Sequence, residues 1–161
     1  MQTQREIVLT PVQQTAANGL LEGLAESGVL VLRGQPGSGK TAVLQTVHAA
    51  AGGAFLGAQQ FVESRTARQR AAIGEAFLRL IEEALVNQEL IVIDDLHLVT
   101  NLVESRGHSR SLLFNATLTV ILGEAGAMRK KLVFGVEGDP PWAIQRRAYF
   151  LQLYGRAQRE P

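Results

Sequence analysis

Eight residues, Gly34 to Thr41, read Gly-Gln-Pro-Gly-Ser-Gly-Lys-Thr and match the pattern Gly, four residues, Gly-Lys-Ser/Thr. The chemistry this spacing permits is the capture of phosphate. Gly34, Gly37 and Gly39 allow the backbone to turn tightly and aim several N–H groups inward, and a helix starting just behind them adds positive potential. Lys40 would reach the β- and γ-phosphates of a nucleotide, and the Thr41 hydroxyl is a hard oxygen ligand suited to Mg²⁺. A second group of reactive side chains closes the apolar run Leu90-Ile91-Val92-Ile93-Asp94-Asp95. Two adjacent carboxylates at the end of such a run suit two roles, Asp94 in the shell of the cation and Asp95 orienting or deprotonating an attacking water.

These groups work only if the elements around them bring them together. Val29-Leu30-Val31-Leu32 reads as a buried strand running into the glycine loop, and Thr41 to Val47 as the first turns of a helix. Upstream, Ile7-Val8-Leu9 is a short extended stretch. Thr10 is a cap and Pro11 a first helical residue for a helix expected to run to about Glu26. Gly52-Gly53 stops the helix after the cradle, and Ala54 to Gly57 is expected as a second strand. Ile73, Phe77, Leu80, Ile81, Ala84 and Leu85 give helical spacing within 66–86, and the strand that follows, Leu90 to Asp94, is apolar on both faces, as a central parallel strand must be. Thr100 to Ser109 reads as a polar loop. Beyond it the pattern predicts a helix from about Arg110 to Met128, a strand from Lys131 to Val136, a short helix from Pro141 to Ala148 and a last strand from Tyr149 to Leu153.

Alternation of strands and helices implies an α/β fold with a doubly wound, mostly parallel five-stranded sheet flanked by helices. Both motifs would then lie at the C-terminal ends of parallel strands, where open sheets of this kind bind ligands. The chain of 161 residues is read as one domain, and its 46% hydrophobic and 19% charged content is that of a globular protein with a sizeable core. A net charge of +1 predicts no particular partner. The absence of cysteine excludes a disulfide framework and a thiolate zinc site, and His48 and His108 are not spaced as ligands. With no apolar signal segment and no spanning run, a cytoplasmic location is expected.

The paired motifs resemble those of the AAA+ ATPases, P-loop nucleotidases in which Gly34 to Thr41 would be Walker A and Leu90 to Asp95 Walker B, with Gln60 to Glu63 and Gly74 to Phe77 between them. The resemblance covers most of the chain. It implies ATP binding with Mg²⁺, hydrolysis by in-line attack of water, and coupling to work on a macromolecular partner through a homo- or hetero-oligomeric ring or filament. By the same resemblance the nucleotide set is Gly34, Gln35, Pro36, Gly37, Ser38, Gly39, Lys40, Thr41 and Val43, with Ile7 and Val8 beside the adenine. The metal set is Thr41 and Asp94, and the catalytic set is Lys40 and Asp95 with Arg146 or Arg147 as an arginine finger toward a neighbour.

The departures from the family pattern limit what it implies. Asp95 stands where the family usually has Glu, and Glu137-Gly138-Asp139 offers no amide at the sensor position after the fourth strand. Ser64 to Arg70 replaces the aromatic-aliphatic-glycine loop of threading motors, and the helical lid that would begin after Leu153 is expected to be absent here, the chain being read either as a large subdomain cut from a longer protein or as a minimal core. Slow hydrolysis that depends on assembly is therefore expected. The rival from another class is a catalytically silent nucleotide-binding assembly module. A small P-loop metabolite kinase fits the size but needs an arginine-bearing lid that is not evident. Arg65, Arg68 and Arg70 could touch nucleic acid phosphates or a neighbour's acidic face, but a solvated helix start is the preferred reading. His97 reads as a packed or solvent-facing histidine, and Trp142 either as an anchor for a partner or as packing of its short helix against the sheet.

Overall fold

A computed structural model describes residues 7–66 and 69–154. The chain order is α1 (Pro11–Gly23), β1 (Val29–Gly34), α2 (Lys40–Ala51), β2 (Ala54–Gly57), α3 (Ala58–Glu63), a 3₁₀ turn (Gln69–Ala72), α4 (Ile73–Asn87), β3 (Leu90–Asp94), α5 (Leu96–Ser105), α6 (His108–Ala127), β4 (Lys131–Val136), α7 (Trp142–Gln145) and β5 (Tyr149–Leu153). The five strands form one sheet in the order β2-β3-β4-β1-β5, and every neighbouring pair is parallel. The expected mostly parallel sheet is parallel throughout.

Period-two alternation divides the strand side chains between two cores. Leu30, Leu32, Val92 and Val133 pack with Leu20 of α1 and Val43, Leu44 and Val47 of α2. Val29, Val31, Ile91, Ile93, Leu132 and Phe134 face the other way, against Phe77, Ile81, Val99, Leu118 and Ile121 from α4, α5 and α6. A strand covered on both faces has no use for polar positions, which is why β1, β3 and β4 read as continuous apolar runs.

Strand limits match the sequence pattern closely, whereas the helices differ more, α3 being an addition and α7 covering only Trp142–Gln145 where Pro141 to Ala148 was expected. The first helix ends at Gly23 rather than near Glu26, because Ala25 and Glu26 donate to the carbonyls of Glu22 and Gly23 three residues back, tightening the last turn. The expected helix over 66–86 begins as a 3₁₀ turn and becomes α-helical only at Ile73. The stretch expected as a polar loop after Thr100 is largely helix. Leu96, Val99, Thr100 and Val103 form the buried side of α5, and the chain breaks at Gly107, whose φ of 109° suits glycine, before α6 begins at His108.

One buried polar residue fixes the last crossover. Asn115 of α6 accepts from the backbone N–H of Ala143 through Oδ1 and donates to the Ser111 carbonyl, so it carries α7. Asn115→Ala should cost about 1–3 kcal/mol by leaving the Ala143 N–H without a partner. Denaturant unfolding measures this, with exposed Glu104→Ala expected to stay within about 0.5 kcal/mol of the parent.

Candidate functional site

The cradle is built by two left-handed glycines. Gly37 has φ 80° and Gly39 φ 89°, and Gly39 is the cap of α2, so Lys40 and Thr41 open that helix. A side chain on Gly39 would collide with Gln13, which lies against the loop and donates through Nε2 to the Ser38 carbonyl at 3.2 Å. The same Gln13 closes the capping box of α1: its Oε1 accepts from the Thr10 N–H, while its own N–H donates to the Thr10 hydroxyl. The start of α1 and the phosphate loop are therefore one hydrogen-bonded unit, joined by a residue that sequence reasoning passed over. Its capping-box spacing to Thr10 was the available signal.

The two motifs meet as the sequence implies. Asp94 ends β3 on the same face as Leu90 and Val92, the face covered by α2. Its Oδ2 accepts from the Thr41 hydroxyl at 2.6 Å. Lys40, only 6% exposed, places Nζ 3.5 Å from Asp95 Oδ1. Asp95 is the cap of α5 and takes a left-handed conformation, φ 56°, which turns the chain out of the strand and separates the directions of the two carboxylates. Burial lifts the Asp94 carboxyl above its ordinary value of 3.8, the Thr41 hydrogen bond opposes that, the neighbouring Asp95 charge adds to it and Lys40 counters it.

Two buried oxygens here have no hydrogen-bond partner, Ser38 Oγ and Asp94 Oδ1. An unpaired carboxylate oxygen beside a threonine hydroxyl is a hard-donor set of the kind Mg²⁺ takes, so the residues fit that ion. Gln35, Pro36 and Gly37 lie exposed at the loop tip, whereas Val43 is wholly buried beneath α1. Ile7 and Val8 are exposed, at 42% and 87%. Arg146 stacks its guanidinium 4.6 Å from the Trp142 ring, and the Arg147 side chain lies over Gly123 of α6. Arg65 stacks over Phe61, while Arg68 and the side chain of Arg70 fall outside the described residues. His97, which the sequence left without a partner, has one: its Nδ1 accepts from the Glu137 N–H at 3.3 Å, and its Nε2 lies 3.6 Å from Glu137 Oε2. Forty residues separate that pair in the chain, so only the β3–β4 pairing reveals it. A cavity of about 240 Å³ lies elsewhere, between α4, α5 and α6, and no cradle residue lines it.

Solved structures share this fold. A DNA replication initiation factor matches over 92% of this chain and 48% of its own, with 11% identity and a TM-score of 0.59. Domain III of the replication initiation protein DnaA from Thermotoga maritima matches over 91% of this chain and 64% of its own, at 18% identity and a TM-score of 0.57. AMPPCP-bound DnaA from Aquifex aeolicus matches over 91% and 48%, at 13% identity and a TM-score of 0.54. The likeness is one of fold, and the chain spans between about half and two thirds of the length of these structures. No protein-family model and no curated protein matches the sequence.

The buried Asp94 sets a pH dependence. With its native pKa above the unfolded one, the folded chain holds more protons between the two values, so stability falls as pH rises through that window. In the ligand-free protein, Asp94→Asn should flatten this slope and gain on the parent as pH rises from about 4 toward neutral. Urea midpoints of both proteins across that range provide the check, and parallel curves would contradict the assignment.

Proposed function

We propose that this chain is an AAA+ type module that binds ATP with Mg²⁺, hydrolyses it slowly, and couples turnover to the remodelling of a macromolecular partner within an assembly of subunits. The observation that carries the reading is the convergence of Lys40, Thr41, Asp94 and Asp95 at one helix N-terminus. The fold shared with an AMPPCP-bound DnaA supports the choice of nucleotide.

Each residue has a role that follows from its position. The N–H groups from Gly37 to Thr41 bind the β- and γ-phosphates, assisted by the α2 dipole. Lys40 is already desolvated, so its charge acts on those oxygens with little screening. Thr41 and Asp94 would hold the Mg²⁺, which when bound supplies charge neutralisation between the same phosphates. Asp95, at the mouth of the cradle and within reach of Lys40, orients the attacking water. Arg146 and Arg147, both exposed on and just after α7, are the candidates to reach a neighbouring subunit's γ-phosphate.

Lys40→Ala should weaken ATP binding about 10- to 100-fold, the worth of one charged hydrogen-bonding group. Asp95→Asn should leave binding nearly intact and lower turnover by about tenfold or more. Both follow from nucleotide titration and phosphate release on the same samples. Turnover per subunit should rise with protein concentration and lose that rise in the finger variant, Arg146→Ala or Arg147→Ala. If ATP binds and no phosphate appears at any concentration, the chain is an assembly module that uses the nucleotide as a structural ligand.

A further inference from the structure

The end of β4 holds a carboxylate to which neither motif assigns a role. Register places it. Arg33 of β1 pairs with Val136 and Ile93 of β3 with Phe134, so Glu137 leaves β4 level with Gly34, at the rim between the phosphate loop and the Asp94-Asp95 turn. Val133 packs with α2, and a Cβ on Gly135 would meet Leu44, Asp94 Oδ1 and Lys40 Cδ, so the end of β4 opens directly under the site. Glu137 is the first residue past the strand, and its side chain meets His97, two residues beyond Asp95. The neighbouring acid does not compete, because Asp139 is paired with Arg33 at 3.1 Å, and Arg33 follows Val29 and Val31 on the opposite face.

His97 holds the Glu137 side chain. Because His97 Nδ1 accepts the Glu137 N–H, the neutral ring carries its proton on Nε2, which faces Glu137 Oε2 at 3.6 Å. One carboxylate oxygen thus lies beside the imidazole and the other has no polar partner among the described residues, on a side chain 34% exposed. Asp95 is differently placed, with its shorter side chain beside the Lys40 ammonium.

We propose that Glu137, positioned by His97, is the proton acceptor for the attacking water; the inference rests on the ATPase reading of the site. The water oxygen forms the bond to the γ-phosphorus as the bond from that phosphorus to the bridging oxygen breaks, its electron pair leaving on ADP. The proton of the water passes to Glu137 and from there to solvent. Asp95 keeps the orienting role, and the pair restores the reach that a single aspartate lacks.

The experiment is single-turnover phosphate release and ATP titration on the full chain with Mg²⁺, comparing the parent with Glu137→Gln, Glu137→Ala, His97→Gln and Lys40→Ala. Glu137→Gln should lower turnover about 100-fold, with the Kd for ATP within about threefold of the parent. Added formate should raise the turnover of Glu137→Ala, since a small carboxylate can enter the space left by the side chain. His97→Gln should lower turnover about tenfold at unchanged Kd, as expected for a residue that acts through Glu137. Turnover of Glu137→Gln close to that of the parent, a loss matched by weakened ATP binding, or no response of Glu137→Ala to formate would each overturn the assignment. If the parent fails to bind ATP, or binds it no better than Lys40→Ala, the ATPase reading itself fails and this inference with it.

Discussion

The structure depends most on a buried carboxylate at the end of a central strand. Asp94 sits at the bottom of the site with one oxygen on Thr41 and the other unpaired, a costly arrangement for a buried carboxylate. An apolar residue there would remove that cost. Keeping the aspartate makes sense if the missing partner arrives with the ligand, in which case part of the binding free energy offsets a penalty already present in the ligand-free fold. The same residue orders the scaffold: its bond to Thr41 ties the first turn of α2 to β3, two strands away from β1, where the loop that precedes α2 begins.

From that constraint the surrounding architecture follows. For Thr41 to meet Asp94, β3 and β1 must stand on either side of β4, and β4 must be narrow where the Lys40 stem and the carboxylate pass over it. Gly135 meets that need, since a methyl there would press on Leu44 and Asp94 together. The loop's own glycines do not hold it, since glycine gives up the most conformational freedom on folding. Gln13 supplies the restraint from outside, tying the Ser38 carbonyl to a capped helix whose inner face is anchored by Leu20 in the core. The glycine loop is therefore tied to an N-terminal helix, and that helix belongs to the candidate site as much as to the core.

Much of this was legible in the sequence because the signals were local. Two carboxylates after a long apolar run and a glycine pattern between a strand and a helix each encode backbone geometry within eight residues, and all five strands lie where their apolar runs end. The helices were harder to delimit. Val99 and Val103 have helical spacing with Leu96, but Asn101, Glu104 and Ser105 on the solvent side made the stretch from Thr100 read as a polar loop. Local polarity outweighed a buried stripe that is only visible once the sheet is there to receive it.

What the sequence could not show was anything that depends on strand order. His97 and Glu137 are unremarkable in isolation, one a histidine after an acidic turn and the other the first residue past a strand. They meet because β4 lies between β3 and β1, an order no periodicity reveals. Reading the end of β4 for an amide finds none, and the absence looks like a defect of the site. In the folded chain a histidine from α5 and a carboxylate from β4 fill the same rim, so the shortened Asp95 and the absent amide need not be independent losses. A site assembled from the ends of adjacent strands has to be judged by which groups share the rim, and the motif residues alone account for only part of it.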